Sequence, residues 1–366
     1  MKIDRVKITN FKSLKDVEIP LSNLNLITGI NSIGKSSFIQ ALLLLKQNEE
    51  KFYSLRGSKI TNINDIYVQL GNKKDILFEE AFKENIKIEI FSNILTHKLI
   101  FNIDDLEIAN IDLLPDENEE TFNIFYDDFQ YLQTDRIVPQ ISYHLSNEMV
   151  DKNLIGFKGE YTAHYLAQNR HKEVLSALKH SKSITNRLLE NVSLWLSDIS
   201  DKIEVKTKIF DELQQVDLKY SYVYGDKTTQ DYTPLNVGFG ITYSLPIIVS
   251  ILKAKIGDLI IIENPESHLH PKAQSKLAEL FALASSIGIQ IIIETHSDHI
   301  LNGIRVAIKK QIINPDKTKI YYFRKEKDKL ETIIDTIELN EYGSINSYPK
   351  YFFDQFDNDL DELLGL

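Results

Sequence analysis

The chain has 366 residues, 43% of them hydrophobic and 26% charged, with 42 Lys+Arg against 53 Asp+Glu and a formal net charge of −11. That composition excludes wholesale disorder and can bury a large core in roughly two domains. Cysteine is absent, which excludes disulfide scaffolds, Cys-ligated zinc, iron–sulfur clusters and a cysteine nucleophile. The N-terminus has no apolar core of a signal peptide. The longest apolar stretch, residues 241–252, falls short of the ~20 residues that span a bilayer. The expectation is a soluble, cytoplasmic protein without membrane contact. Residues 103–135 are rich in Asp and Glu and lack Lys and Arg; this acidic balance argues against a general nucleic-acid binder.

In chain order, residues 2–9 alternate apolar and polar (Ile3, Val6, Ile8) and predict a strand. Residues 17–21 predict a second, after a turn over 10–16, and residues 24–28 a short apolar third. A glycine loop follows, Gly29-Ile30-Asn31-Ser32-Ile33-Gly34-Lys35-Ser36, and then a stretch rich in Leu and Ala over 37–47 that predicts a helix. Further on, residues 67–70, 86–91 and 98–103 predict strands. Residues 160–196 read as mostly helical, with Ala163, Leu166 and Ala167, then Val174, Leu175 and Leu178 at helical spacing. Residues 202–208 and 218–224 predict a hairpin. Neither a repeat nor a sustained heptad is present, so no long coiled-coil arm is expected. Apolar runs at 259–262 and 289–293 alternate with helical stretches at 271–283 and 300–310, and 319–323 predicts a last strand. That alternation predicts buried parallel strands in an α/β sheet, built by the two ends of the chain with the middle inserted.

Residues 29–36 fit G-x-x-x-x-G-K-[ST] in full, between a predicted strand and helix. Gly29 and Gly34 let the backbone turn its N–H groups toward one point. The positive end of the following helix faces the same point and favours an anion. Lys35 supplies a mobile charge for β- and γ-phosphates, and the Ser36 hydroxyl is an oxygen ligand suited to Mg²⁺. A phosphate loop of this kind needs a carboxylate at the end of a nearby apolar strand. Leu259-Ile260-Ile261-Ile262-Glu263 has that shape, and Glu263 is the candidate metal-side carboxylate. The alternative chemistry is a transition-metal hydrolase using His268, His270, His296 and His299, which leaves the phosphate loop unexplained.

The combination resembles the ABC-type P-loop ATPases of the SMC, RecF and OLD group. Residues 8–14, Ile-Thr-Asn-Phe-Lys-Ser-Leu, resemble that group's opening strand and turn, and Asn31 is typical of its phosphate loop. Pro265-Glu266 and Leu269-His270-Pro271 resemble its Walker B and D-loop region. Ile292-Ile293-Glu294-Thr295-His296-Ser297 resembles its histidine switch, and Val237-Gly238-Phe239-Gly240 sits where its signature motif lies. The resemblance implies an ABC-type head of mixed sheet and helices at residues 1–47 and 235–325. An inserted β-rich and helical lobe would occupy 48–234, and an acidic tail 326–366. That tail resembles the uncharacterised C-terminal segment of a small prokaryotic subgroup often found in anti-phage defence.

The resemblance further implies ATP and Mg²⁺ as cofactors and a head-to-tail homodimer with ATP between the heads. Gly29, Asn31, Gly34, Lys35, Ser36 and Ser37 would hold the nucleotide, and Gly238 and Gly240 the γ-phosphate of the other head. Glu263, Asn264, Glu266 and His296 would form the catalytic set, with Ser36, Glu263 and Gln69 toward the metal. As a plain sequence reading, Gln69 is a strand residue. Two departures stand out. Where most relatives carry a second acid after the Walker B strand, this chain has Asn264, which orients a water but cannot deprotonate it; losing a general base costs ~10²–10⁴ in rate. The signature serine is absent, with Asn236 or Thr242 as substitutes. Two readings stay open: an ATPase cycling a head dimer as the regulator of a separate effector, or a nucleotide-gated scaffold that rarely hydrolyses. A RecF-like repair role is a third, with DNA contact non-specific. Asp357, Asp359 and Asp361 resemble nuclease acids, but a Toprim domain is not expected in the stretch after His296, so no intrinsic nuclease activity is expected. Trp195 is read as core and Phe352 and Phe353 as tail anchors.

Overall fold

The computed structural model describes residues 1–53, 60–111, 121–200, 202–347, 349, 352–353, 360 and 362–364. The acids at 357, 359 and 361 lie outside them. The chain divides into two compact units, residues 3–120 with 318–366, and residues 1–2 with 121–317. Among the described residues no helix is long and apolar enough to cross a membrane.

In the first unit, strand Arg5–Phe11 pairs antiparallel with Leu14–Pro20 on one side and Asn85–Phe91 on the other, and Thr96–Asn102 and Ile108–Ile111 continue the sheet. Alternation sets its register. Val6 faces Ile90 and Ile8 faces Ile88, which faces Leu99 in turn, and all five side chains are fully buried. A one-residue slip would turn this face outward. Strand Leu24–Gly29 lies parallel to Thr318–Arg324, which pairs antiparallel with Ile333–Ile337. The two ends of the chain therefore do meet. Helix Lys35–Gln47 packs its Phe38 edge-on against Phe323. Phe352 is buried with its ring edge-on to Tyr322, so that part of the tail is anchored as expected. Residues 67–70 do not form the predicted strand. The N–H groups of Tyr67 and Val68 donate to the Gln47 side chain (3.1 and 2.8 Å), and Gln69 makes only an isolated bridge with Asn64.

In the second unit, strands Leu259–Glu263 and Gln290–Glu294 run parallel with Glu263 beside Glu294, and Gln130–Leu132 flanks the first of them. Helix Pro271–Ser286 connects the first two, with Pro271 at its first position, where the missing N–H costs nothing. Helix Asp298–Lys309 lies against it so closely that a Cβ on Gly303 would sit 2.6 Å from that of Ala278. Strands Ile203–Phe210 and Gln215–Tyr224 form the predicted hairpin. The helical reading of 160–196 needs correction. Only Thr162–Asn169 and Leu188–Ile199 are α-helices, with a 3₁₀ turn at Ser176–Leu178 between them. Side chains of the second helix satisfy the backbone between, so that stretch needs no helical bonds. Trp195, 5% exposed, is core as expected.

A buried ammonium marks this unit. Lys253 donates to the Asn153 carbonyl oxygen at 2.5 Å. Burial lowers its pKa to about 8, against the opposing pull of Asp258 and Asp128. Between about pH 8 and the ordinary value of 10.5 the unfolded chain keeps a proton that the folded chain has released. Stability from this residue therefore rises with pH through that window. Urea unfolding of Lys253→Met beside the native chain is expected to show the difference, native minus variant, growing from pH 8 to pH 10.5; a constant difference would contradict it.

Candidate functional site

Strand Leu24–Gly29 delivers residues 29–36 at its C-terminal end, and helix Lys35–Gln47 takes over from them. Gly29 has φ 140° and Gly34 φ 101°, conformations that residues with a side chain avoid. Space forbids a substitution as well. A Cβ on Gly29 would lie 2.2 Å from the Phe323 carbonyl oxygen, and one on Gly34 2.7 Å from the hydroxyls of Ser13 and Thr332. The Lys35 ammonium turns back into the loop and donates to the carbonyls of Ile30 (2.6 Å) and Gly29 (3.0 Å). Asn31 and Ser36 are exposed and Ser37 is half-buried. No acidic residue occupies the first helical turn, so nothing there opposes an anion.

A buttress escaped the sequence reading. The Thr332 hydroxyl donates to the Ile33 carbonyl (2.7 Å) and pairs with the Ser13 hydroxyl (2.8 Å), while its N–H donates to the Ser13 carbonyl (2.8 Å). Ser13 lies in the resemblance-bearing opening turn, but nothing in the sequence links it to residue 332.

In the other unit, Glu263 ends its strand with both carboxylate oxygens engaged. The Tyr131 phenol donates to Oε1 and the Thr134 hydroxyl to Oε2, each at 2.9 Å. Burial first, then the neighbouring Glu263 charge, push the Tyr131 phenol well above its ordinary pKa, so it stays a donor. Thr134 also accepts from the Asn264 amide at 3.3 Å. The chain reverses at Asn264 with φ 42°, a left-handed conformation that Asn tolerates better than most residues. Arg136, 1% exposed, fixes the reversal. Its guanidinium donates to the carbonyls of Glu263 (2.5 Å) and Asn264 (3.2 Å). Burial lowers Arg136 to about 10, against the pull of Glu266, and leaves it cationic at neutral pH. Tyr131, Thr134 and Arg136 were not legible. Their one signal is the pair Tyr131-Leu132, too brief to predict a strand.

Glu266 is committed elsewhere. It accepts from the Thr295 hydroxyl (2.7 Å) and from the His296 N–H (2.8 Å). Carboxylate and histidine segment are thus brought together, with the His296 side chain exposed. Gly238 caps helix Phe239–Leu252 from an open position. Gly240 is enclosed, since a Cβ there would lie 2.6 Å from the His268 carbonyl oxygen. Thr242 is 2% exposed and so cannot replace a surface serine, which corrects that expectation; the Asn236 amide donates to the Thr233 hydroxyl (3.0 Å). The other histidines take separate places. His268 sits edge-on to the rings of Phe239 and Tyr243, His270 caps the next helix, and His299 lies 3.6 Å from Asp298. Gln69 is exposed in the unit that carries the phosphate loop.

Residues 24–302 match the family described as "AAA domain, putative AbiEii toxin, Type IV TA system", and residues 313–363 a family of unknown function, DUF3696. The chain is 23% identical to the endonuclease GajA of Bacillus cereus (strain HuB5-5), over 82% of this chain and 56% of that protein. It is 24% identical to the DNA replication and repair protein RecF of Acetivibrio thermocellus, over 59% of this chain and 68% of that one. The chain thus spans little more than half the length of the first of these relatives. A solved Smc head bound to the C-winged helix domain of ScpA superposes with a TM-score of 0.55 at 15% identity, covering 93% of this chain and 99% of the other. An Smc head with an extended coiled coil, bound to the C-terminal domain of ScpA derived from Pyrococcus furiosus, gives 0.53 at 12% identity, covering 99% of each chain. These likenesses show the fold, an α/β head of mixed sheet flanked by helices. With the matched family spanning well over half of the sequence, the chain belongs to the AAA-domain family of the AbiEii description, among the SMC/RecF/OLD-like P-loop ATPases.

Proposed function

We propose that this chain binds Mg-ATP, which closes a head-to-tail pair of heads, and that slow hydrolysis opens them. In this reading the pair is the regulatory ATPase of a prokaryotic defence system acting with a separate effector. The phosphate loop carries the reading. Its two glycines hold conformations closed to other residues, and the buried Lys35 ammonium rests on loop carbonyls that a phosphate can displace. The head is taken as residues 1–47 and 235–325, with 48–234 inserted and 326–366 as the acidic tail.

Gly29, Asn31, Gly34, Lys35, Ser36 and Ser37 would cradle the phosphates. The oxygen donors Ser36 and Glu263 fit the preference of Mg²⁺, while Gln69 is carried to the metal by resemblance alone. Bound Mg²⁺ would spread the charge on the phosphates. Tyr131 and Thr134 hold Glu263 in one orientation. Asn264 is tied to Thr134 by its amide, and its Oδ1 is buried without a hydrogen bond among the described residues. Glu266 positions His296, which would sense the γ-phosphate. Gly238 and Gly240 would present N–H groups to the nucleotide of the other copy.

The second reading, a nucleotide-gated scaffold that hydrolyses rarely, is favoured by Asn264 and by the engagement of both Glu266 oxygens. The defence role rests on the resemblance and on the toxin named in the family description. "Endonuclease" describes GajA, of which this chain matches 56%. Any DNA contact is taken to be non-specific and weakened by salt.

Phosphate release from Mg-ATP is expected to be slow and to vanish in Lys35→Ala. ATP binding without release would select the scaffold, and neither binding nor release would refute both readings. Asn264→Asp keeps a residue that tolerates positive φ and adds a carboxylate. It is expected to raise turnover about tenfold or more, and an unchanged rate would show that position 264 is not limiting. Arg136→Leu takes its partner from the Glu263 carbonyl and one of two from the Asn264 carbonyl, and is expected to cost about 2 kcal/mol in urea unfolding and to lower turnover; a loss below about 0.5 kcal/mol would contradict the clamp.

A further inference from the structure

A cavity of about 630 Å³ opens beside helix Leu188–Ile199 and is lined by none of the residues assigned to the nucleotide. Leu194, Ile203, Val205 and Val223 give it an apolar lining. Its outer wall comes from residues 170–187, whose one regular element is the 3₁₀ turn Ser176–Leu178. A stretch this long without regular structure in a compact unit is usually functional or disordered, and this one is pinned. Asn191, fully buried, accepts from the His180 N–H (2.8 Å) and donates to the carbonyls of Thr185 (3.1 Å) and Arg187 (2.9 Å). The Trp195 indole donates to the Leu178 carbonyl (3.0 Å), and the Glu190 carboxylate accepts from the N–H groups of Ile184 (2.8 Å) and Thr185 (3.2 Å). The cavity is therefore preformed.

Its charge runs against that of the chain. Lys182, Arg187 and Lys202 line it from exposed positions, and none has an ion pair among the described residues. The Arg170 guanidinium adds a fourth cation, bonded to the carbonyls of Ala167 and Thr207 at 3.3 Å. Of the lining acids, Asp198 is engaged by His180 (3.2 Å) and Lys276 (3.5 Å), and Glu190 by the loop, which leaves Glu204. Positive charge thus gathers around an apolar hollow in a chain of net charge −11.

We propose that this cavity is a second ligand site, taking a small amphipathic anion. The ligand would have a flat apolar body of about nucleotide size carrying a phosphate, sulfonate or carboxylate group. The volume lies within the ~300–1,000 Å³ of small-molecule sites. The apolar lining buries the body, and the cations hold the charge. The wall helix packs on helices Phe239–Leu252 and Pro271–Ser286, so an occupant bears on the helices that begin at Gly238 and His270.

The test titrates anilinonaphthalene sulfonate, an aryl sulfonate that brightens in apolar surroundings, into the intact chain. The expected result is saturable binding at one site per chain, weakened by salt. It should persist in Lys35→Ala, which weakens any binding at the phosphate loop. It should fall at least tenfold when both Arg187→Glu and Lys202→Glu are present, and vanish in Leu194→Trp, which fills the hollow. Val223→Phe replaces Leu194→Trp if the latter lowers the unfolding midpoint. Binding unchanged in the cavity variants, or lost in Lys35→Ala, overturns the proposal. So does loss on charge reversal with retention in the filled variants, which would mean a surface anion site. Displacement by polyglutamate at lower concentration than by AMP also overturns it, in favour of an acidic macromolecule.

Discussion

One buried cation underlies the turn that follows strand Leu259–Glu263. A strand that ends in a carboxylate must turn away at once, and at Asn264 the backbone does so with φ 42°. The carbonyls of Glu263 and Asn264 need partners there, and the Ser267 N–H supplies only one, to Asn264 at 3.2 Å. The Arg136 guanidinium meets both, and its planar fork does so with one side chain. With the turn fixed, Glu266 two residues on reaches the 295–296 segment, and the backbone at His268 comes within touching distance of Gly240. Each later contact presupposes the first.

The sequence disclosed what is chemically compact. Residues 29–36, 259–266 and 292–297 each carry their meaning within a few positions, because backbone turn, charge and oxygen donor must be contiguous there. Apolar runs at both ends of the chain predicted a shared sheet, and Leu24–Gly29 does pair in parallel with Thr318–Arg324. The supports were hidden for the opposite reason. Thr332 reaches Ile33 and Ser13, and Tyr131, Thr134 and Arg136 reach Glu263 and Asn264, from far along the chain. A lone Thr or Arg in a mixed stretch has no pattern to announce it. The segment 170–187 deceived in another way. Val174, Leu175 and Leu178 keep helical spacing, yet Asn191, Trp195 and Glu190 supply the bonds a helix would have made. Tertiary partners outweighed local preference, as a weak prior allows.

Charge was legible as an average and misleading as a map. The net −11 pointed away from anionic partners. Yet Lys182, Arg187 and Lys202 cluster around one hollow because a pinned loop, the end of a helix and the start of a hairpin meet there. Folding sorted the minority sign into one place, which composition cannot express.

Gly240 has a consequence for timing. Its backbone lies against the backbone at His268, in the same stretch as Glu263 and Asn264, with no side chain to act as a cushion. In the proposed pair, the first segment would touch the nucleotide held mainly by the other copy and the second its own. Two segments in backbone contact cannot shift independently by more than a fraction of an ångström. In that reading a head built this way would work as a coincidence detector: it would register two occupied nucleotides together, and the departure of either would be felt at both.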